Sequence, residues 1–421
     1  MSSETDVVII GAGSAGLSAA KQLHRRGLGY ILIEGSHRIG GRAYSEEIAP
    51  GVWFDLGCSY LHQGETNPFA TIADDLGVVI GRDQGNIFVP ENIRLHRNGQ
   101  PLSVEDTARH NQYRENCYNA IQEASEREED TAIADLIDLE NEFAQPFMSG
   151  MAGSCAQDID QLSAKDIASF GSGSDIPILN GYGNLVAQWA QDVDVSLNTR
   201  VDRIDWSGEG ITIETSKGNL NARAVLSTVS NGILAAGDIR FTPNLPDWKT
   251  EAFMNLPIGT LNKTCVHFDK DVFGDDGRGF HNTWNDSGDD SGNGCGIEAS
   301  VMGLNTAVTF LGGRQAIWLE KQGQQAGHDF AVDQIAEVFG NDIRKHVTRS
   351  IVTAWTTDPW TRGSYASSRP GQSHQRIELA RPIDDRLFFA GEATIVGPQA
   401  CGHGAFLSGI RAAEEVAAAL S

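Results

Sequence analysis

The feature that most limits what this chain can fold into lies at its start. Asp6 to Ile10 (DVVII) is a short apolar run suited to a buried parallel strand, and Gly11-Ala-Gly13-Ser14-Ala15-Gly16 comes directly after it. A helical pattern then runs from Leu17 to Arg26 with Gly27 as its stop, and a second apolar run, Tyr30 to Ile33, ends in Glu34. Together these make a βαβ unit in which each special residue answers a physical need. Gly11 permits the tight turn, Gly13 lets backbone approach a pyrophosphate, and Gly16 lets helix and strand pack closely. Glu34 offers a carboxylate to ribose hydroxyls. A lone GxGxxG is a weak signal, but here the flanking strand, the helix and the acid all agree, so a dinucleotide is expected to bind. NAD and FAD both satisfy the unit.

The residues after Glu34 separate the two. The chain there reads GSHRIGGRAYS, so a second glycine pair and a cation (Gly40, Gly41, Arg42) again bring backbone amides and positive charge towards phosphate and flavin. This arrangement resembles the extended fingerprint of the glutathione-reductase-like flavoproteins, in particular the flavin amine oxidases, and the likeness continues in order along the chain. Phe54-Asp-Leu-Gly57-Cys58-Ser59-Tyr60-Leu-His62 is similar to one stretch of that family, and Gly181 to Leu185 through Val201 resembles the segment whose backbone meets the adenine. Gly259 to Phe268 resembles the strand that carries a flavin-site lysine, while Trp355 to Tyr365 and Leu387 to Gly409 resemble the two C-terminal motifs. The branches most alike are the polyamine oxidases and the related histone-lysine demethylases.

The resemblance implies an α/β fold: a Rossmann-like, glutathione-reductase-like FAD-binding domain with an inserted α+β substrate-binding domain. Residues 1–80, 181–258 and 371–421 would form the first, and 81–180 and 259–370 the second. Ser364 stands where monoamine oxidases carry the cysteine that tethers flavin, so noncovalent FAD is implied. Cofactor contacts are then expected of Gly11, Gly13, Ser14, Ala15, Gly16, Glu34, Gly40, Gly41 and Arg42, and of Gly57, Cys58, Ser59 and Tyr60. They are also expected of Val201, Trp355, Gly391, Glu392, Gly402, His403 and Ala405. Gly391-Glu392 ends a short apolar strand, and the periodic run after Gly404 reads as a helix whose positive N-terminus would face the flavin.

Five residues are implied as catalytic: Lys263, Tyr365, Trp360, Cys401 and His62. Lys263 lies in an alternating strand, where a lysine is ordinarily solvated; the resemblance instead holds it near flavin N5, commonly through a water. Tyr365 matches the first wall of an aromatic cage for the amine, and Cys401 replaces a second wall that is often tyrosine. Trp355 and Trp360 would line the flavin face and the channel. His62 matches a channel-side histidine of animal-type polyamine oxidases. Residues 57 to 64 contain no arginine, which the amino-acid oxidases of this superfamily usually place there for the substrate carboxylate.

The function implied is an FAD-dependent amine oxidase acting on a primary or secondary amine, with polyamines among the candidates. A hydride equivalent passes to FAD, the imine hydrolyses, and O2 reoxidises the flavin to give H2O2. The alternatives are an L-amino-acid oxidase, another FAD oxidase or desaturase, and a non-catalytic FAD-stabilised scaffold.

Composition narrows the partners. The 421 residues allow roughly two to three domains. With 32 Lys+Arg against 56 Asp+Glu, a net charge of -24 argues against nucleic acid and anionic membranes. The six cysteines are far apart with no CxxC pair, so no metal site is expected. The N-terminus runs almost at once into a strand, and no apolar run approaches the ~18 residues of a spanning helix, so a cytoplasmic protein is expected. Oligomeric state is left open. Glu105 to Asn141 reads as surface helices over the active site, and Asp269 to Gly296, rich in Gly, Asp, Asn and Ser, as a long exposed loop.

Overall fold

Val7, Val8 and Ile9 are wholly buried, as an unbroken apolar run must be when both faces of its strand are covered. In the computed structural model, which describes residues 3–84, 88–286 and 294–421, this run belongs to strand Ser3–Ile10. It pairs in parallel with Tyr30–Ile33 on one side and Gly218–Ser227 on the other. Leu387–Phe389 also lies parallel to Gly218–Ser227, and Ile211–Thr215, Val201–Asp205 and Arg240–Thr242 extend the sheet. Helices Ser14–Arg25 and Gly402–Leu420 pack one face with Leu17, Leu23, Ala412 and Val416, against Val7 and Ile9. The two helices touch closely: a Cβ on Gly409 would sit 2.1 Å from the Ala15 carbonyl oxygen.

A second sheet runs in the order Val347–Val352, Leu261–Phe268, Thr306–Gly312, Gly296–Ala299, Gly279–Trp284, Ile93–Arg97 and Gln100–Pro101. All its pairings are antiparallel except Gly279–Trp284 with Ile93–Arg97. Helices Gly313–Gln322 and Gln324–Phe339 cover one face, burying Val266, Ile297, Leu311 and Ile335 together. On the other face the register aligns Lys263, Phe310, Gly296 and Asn282, so their side-chain positions point together, away from those helices.

The strand Gly279–Trp284 corrects the expectation of a loop from Asp269 to Gly296. Its alternation of Phe280, Asn282 and Trp284 with His281 and Thr283 is hidden by glycine- and aspartate-rich neighbours. Residues 287–293 of that stretch lie outside the described residues. The region from Glu105 onward does form a long helix, Val104–Ser125, capped by Ser103, whose hydroxyl accepts from the Asp106 amide. Its Tyr113, Cys117 and Ile121 pack on Phe143 and Phe147 beside the helix Ala144–Cys155. No helix among the described residues is long and apolar enough to cross a membrane.

Candidate functional site

A cavity of about 1500 Å³ is lined by residues from both sheets. That exceeds the roughly 300–1,000 Å³ of a single small-ligand pocket, leaving room for a cofactor and a substrate. Every residue expected at the site lines it except Gly16 and His403.

The glycine loop shows why. Gly11 has φ +101°, open to glycine at little cost, and a Cβ on Gly16 would lie 1.8 Å from the Gly11 carbonyl oxygen. Gly16 therefore serves the turn itself. Gly13 differs: an added Cβ would meet only Gly40 O at 3.9 Å and would otherwise project into the cavity. The protein does not need that space, whereas a ligand approaching the backbone does. Gly13 also begins helix Ser14–Arg25 without a side-chain cap, leaving the first helical amides, at Ser14 and Ala15, to the cavity. Glu34 spans the loop, its Oε2 accepting from Ala12 N and its Oε1 from Ser36 N, both at 2.8 Å. Val201 lines the same end.

Gly40 and Gly41 hold positive φ (92° and 58°) and bring Arg42 to the cavity. Arg42 and Glu392, expected separately, form one ion pair at 2.8 Å, and Arg42 also donates to Ser364 O at 2.7 Å. Gly391, with φ +136°, has nothing within 4 Å of an added Cβ. Trp360 departs from the expected channel wall. Its ring covers Gly35, where a Cβ would fall 2.3 Å from Cζ3, so it stands beside Glu34.

At the other end, residues 55 to 59 make a tightly held loop. A Cβ on Gly57 would lie 1.9 Å from Arg42 O, and Trp355 donates its indole N–H to Leu56 O at 3.2 Å. Lys263, 3% exposed, donates to Gly57 O at 2.7 Å and also to Asp55 O and Ser59 Oγ. Burial lowers its pKa, against the opposing charges of Asp55 and Glu298. All three ammonium protons are thus held by the loop that carries Gly57, Cys58 and Ser59. The Asp55 carboxylate meanwhile accepts from Tyr182 N and Gly183 N at the start of helix Tyr182–Trp189, which has no side-chain cap of its own.

Tyr365 donates its hydroxyl to Ser154 O at 2.7 Å, which fixes its ring against helix Ala144–Cys155. Cys401 begins helix Gly402–Leu420, and burial pushes its thiol well above the usual range. The Tyr182 hydroxyl, buried without a hydrogen-bond partner, lies against Gly402. His403 is buried behind the wall, held neutral by desolvation and by nearby His62, with its pKa down to about 4. His62 is the open one: its Nδ1 bonds Asp175 Oδ1 at 2.6 Å, leaving Nε2 for the cavity.

Asp175 and Glu298 were not foreseen from sequence. Asp175 is a single acid in a Gly/Ser-rich loop, with no motif around it. Glu298 lies beside Tyr60 on the sheet face that carries Lys263; burial pushes its carboxyl up to about 7. The register of a strand not recognised in the sequence puts it there. No cluster of three metal-ligating side chains occurs among the described residues.

Amides at a helix N-terminus, a carboxylate at the end of the second strand, a second glycine pair with a cation, and unfilled space at Gly13 fit a phosphate-bearing dinucleotide. A family model described as flavin containing amine oxidoreductase matches residues 14–417. Polyamine oxidase 3 of Oryza sativa subsp. japonica is 29% identical, over 97% of this chain and 88% of the relative. Lysine-specific histone demethylase 2 of Homo sapiens is 27% identical, over 98% of this chain and 53% of the relative. Among solved structures, a putrescine oxidase redesigned in its cofactor binding superposes with a TM-score of 0.79 at 18% identity, covering 99% of both chains, a likeness of fold.

Proposed function

Because the chain belongs to the flavin-containing amine oxidoreductase family, we propose that it oxidises a C–N bond of a primary or secondary amine with noncovalently held FAD. FAD bound there supplies a two-electron acceptor that O2 can reoxidise. The rest is the work of the chain's own residues. The helix amides at Ser14 and Ala15 would hold pyrophosphate and Glu34 the ribose, with Trp360 closing that end. The loop from Gly57 to Tyr60, pinned by Lys263 and Trp355, would hold the ring system beside Gly402.

The amine would enter beside Tyr365 and Cys401, with the His62–Asp175 pair at the channel side. A carboxylate on Nδ1 fixes the orientation of the His62 ring and leaves Nε2 to the cavity. The cage is half open because Cys401 is small. Apolar walls such as Phe147, Phe170 and Phe310 would keep water from the amine, so catalysis would rest on orientation and electrostatics. We also propose the two-domain division, with residues 1–80, 181–258 and 371–421 forming the cofactor domain and 81–180 and 259–370 the substrate domain. The strand membership of the two sheets supports it. Polyamines are what the relatives' names carry, and they are the first class to assay.

The observation that carries the reading is one cavity joining the dinucleotide loop to Lys263, Tyr365 and Cys401. The test is to denature the purified protein, identify the released cofactor, and measure turnover of an amine with O2. Free FAD and equal yields of H2O2 and carbonyl product are expected. Flavin that stays on the denatured chain would refute noncovalent binding, and O2 uptake without a carbonyl product would refute the reaction.

A further inference from the structure

Beyond Tyr365 the cavity continues between helices Val104–Ser125 and Ala144–Cys155. His110, Arg114, Tyr118 and Gln122 recur every fourth residue on one side of the first helix, and all four line the cavity. Arg114 is half-buried and lies with its guanidinium carbon 5.3 Å from the centre of the Tyr118 ring. Its neighbour Arg109 is paired with Asp106 and Glu142, whereas Arg114 has no carboxylate partner among the described residues. His110 stacks on Trp284, and burial, with Arg114 nearby, lowers its pKa. Tyr118 donates to Met151 Sδ at 3.6 Å, and Tyr365 to Ser154 O. Those anchor points are three residues apart, roughly 4.5 Å along one helix, and Arg114 stands beyond Tyr118.

The walls between are apolar: Phe147, Phe170, Phe280 and Phe310 among them. The carboxylates that line this half, among the described residues, are already engaged. Asp175 is bonded to His62, and Asp166 is locked to Arg376. A second ammonium would therefore leave water for aromatic walls and a guanidinium, with no free anion to meet it. A carboxylate on a substrate would meet its natural planar partner, a half-buried arginine that touches Tyr118 and has no carboxylate partner among the described residues.

We propose that the substrate is an ω-amino carboxylate: an amine with an apolar body and a far-end carboxylate held by Arg114. This rests on the amine-oxidase reading above and narrows its substrate class away from polycations. It also excludes ordinary α-amino acids, whose carboxylate sits on the reacting carbon next to Tyr365 and falls short of Arg114.

The test is steady-state kcat/KM of the holoenzyme with ω-amino carboxylates, alkylamines of matching chain length, and spermidine. The best carboxylate is expected to exceed its matched alkylamine by roughly tenfold or more, with spermidine below both. Arg114→Gln should cut the carboxylate-to-alkylamine ratio about tenfold, chiefly through KM. Arg114→Lys should keep part of the preference, and Arg114→Glu should raise spermidine relative to the carboxylates. Each comparison is a ratio within one variant, so lost folding does not imitate the effect. Spermidine as the best substrate, or a ratio unmoved by Arg114→Gln, would overturn the proposal while leaving amine oxidation standing. Failure of all three classes to turn over would overturn both.

Discussion

Lys263 spends its three protons on Asp55, Gly57 and Ser59, so its first effect is on the loop of residues 55 to 59 that lines the cavity. Lys263→Met removes a buried cation and orphans two carbonyl acceptors, and it should weaken cofactor retention as well as slow reoxidation. Flavin content after gel filtration and the reoxidation rate report the two effects separately. Normal retention would detach the lysine from the loop, and normal reoxidation would detach it from the reaction. Glu298 makes a second prediction. Burial raises it from an ordinary 4.5 to about 7, so between those values the folded protein binds the extra proton. Stability from this group is present below the window and lost as pH rises through it, by up to about 3 kcal/mol. Glu298→Gln should match the parent near pH ~4 and be more stable near pH ~8 by urea unfolding; a difference independent of pH would contradict this. At this scale the sequence showed those residues that belong to motifs. Asp175, Glu298 and Arg114 act through neighbours brought by folding, and a lone acid in a loop or a lone arginine on a helix carries no local mark.

At the scale of elements, the βαβ unit was legible because its glycines are dictated by backbone geometry. Two glycines of that unit should respond very differently to alanine. At Gly16 a Cβ would clash with the Gly11 carbonyl oxygen, so Gly16→Ala should distort the loop and lose most of the flavin. At Gly27, with φ +75° and nothing within 4 Å, alanine should cost about 1–2 kcal/mol for its left-handed backbone and keep the flavin. The ratio of flavin to protein absorbance decides, and equal flavin in both variants would contradict the assignment of Gly16 to the turn. Strand Gly279–Trp284 was not legible. Its six residues alternate, but they sit among Gly, Asp and Asn, and one of its two partner strands, Ile93–Arg97, is distant in sequence. Trp360 was assigned by its motif to the channel, yet the turn after Asp358, whose carboxylate accepts from Trp360 N and Thr361 N, carries it over Gly35 instead.

Across the whole molecule, the two sheets meet around one cavity, and a buried ion pair joins helix Ala164–Ala168 to helix Gln375–Ala380. Arg376 (1% exposed side chain) meets Asp166 (3%), and the same carboxylate accepts from Ser368 N. Arg376→Met would strand a buried carboxylate and should cost about 3–5 kcal/mol of unfolding free energy, recovered in part by adding Asp166→Leu. No loss on denaturant unfolding would contradict the clasp. The surplus of acids was the least informative feature of the sequence, since a net charge of -24 is spread over a solvated surface while the cavity's outer half presents Arg114. This architecture oxidises amines at a flavin, and anaerobic mixing of the holoenzyme with a panel of amines is the decisive measurement. Amines should bleach the flavin band before O2 is admitted, and O2 should restore it with formation of H2O2. A flavin that stays oxidised with every amine, or that only α-amino acids bleach, would contradict the account.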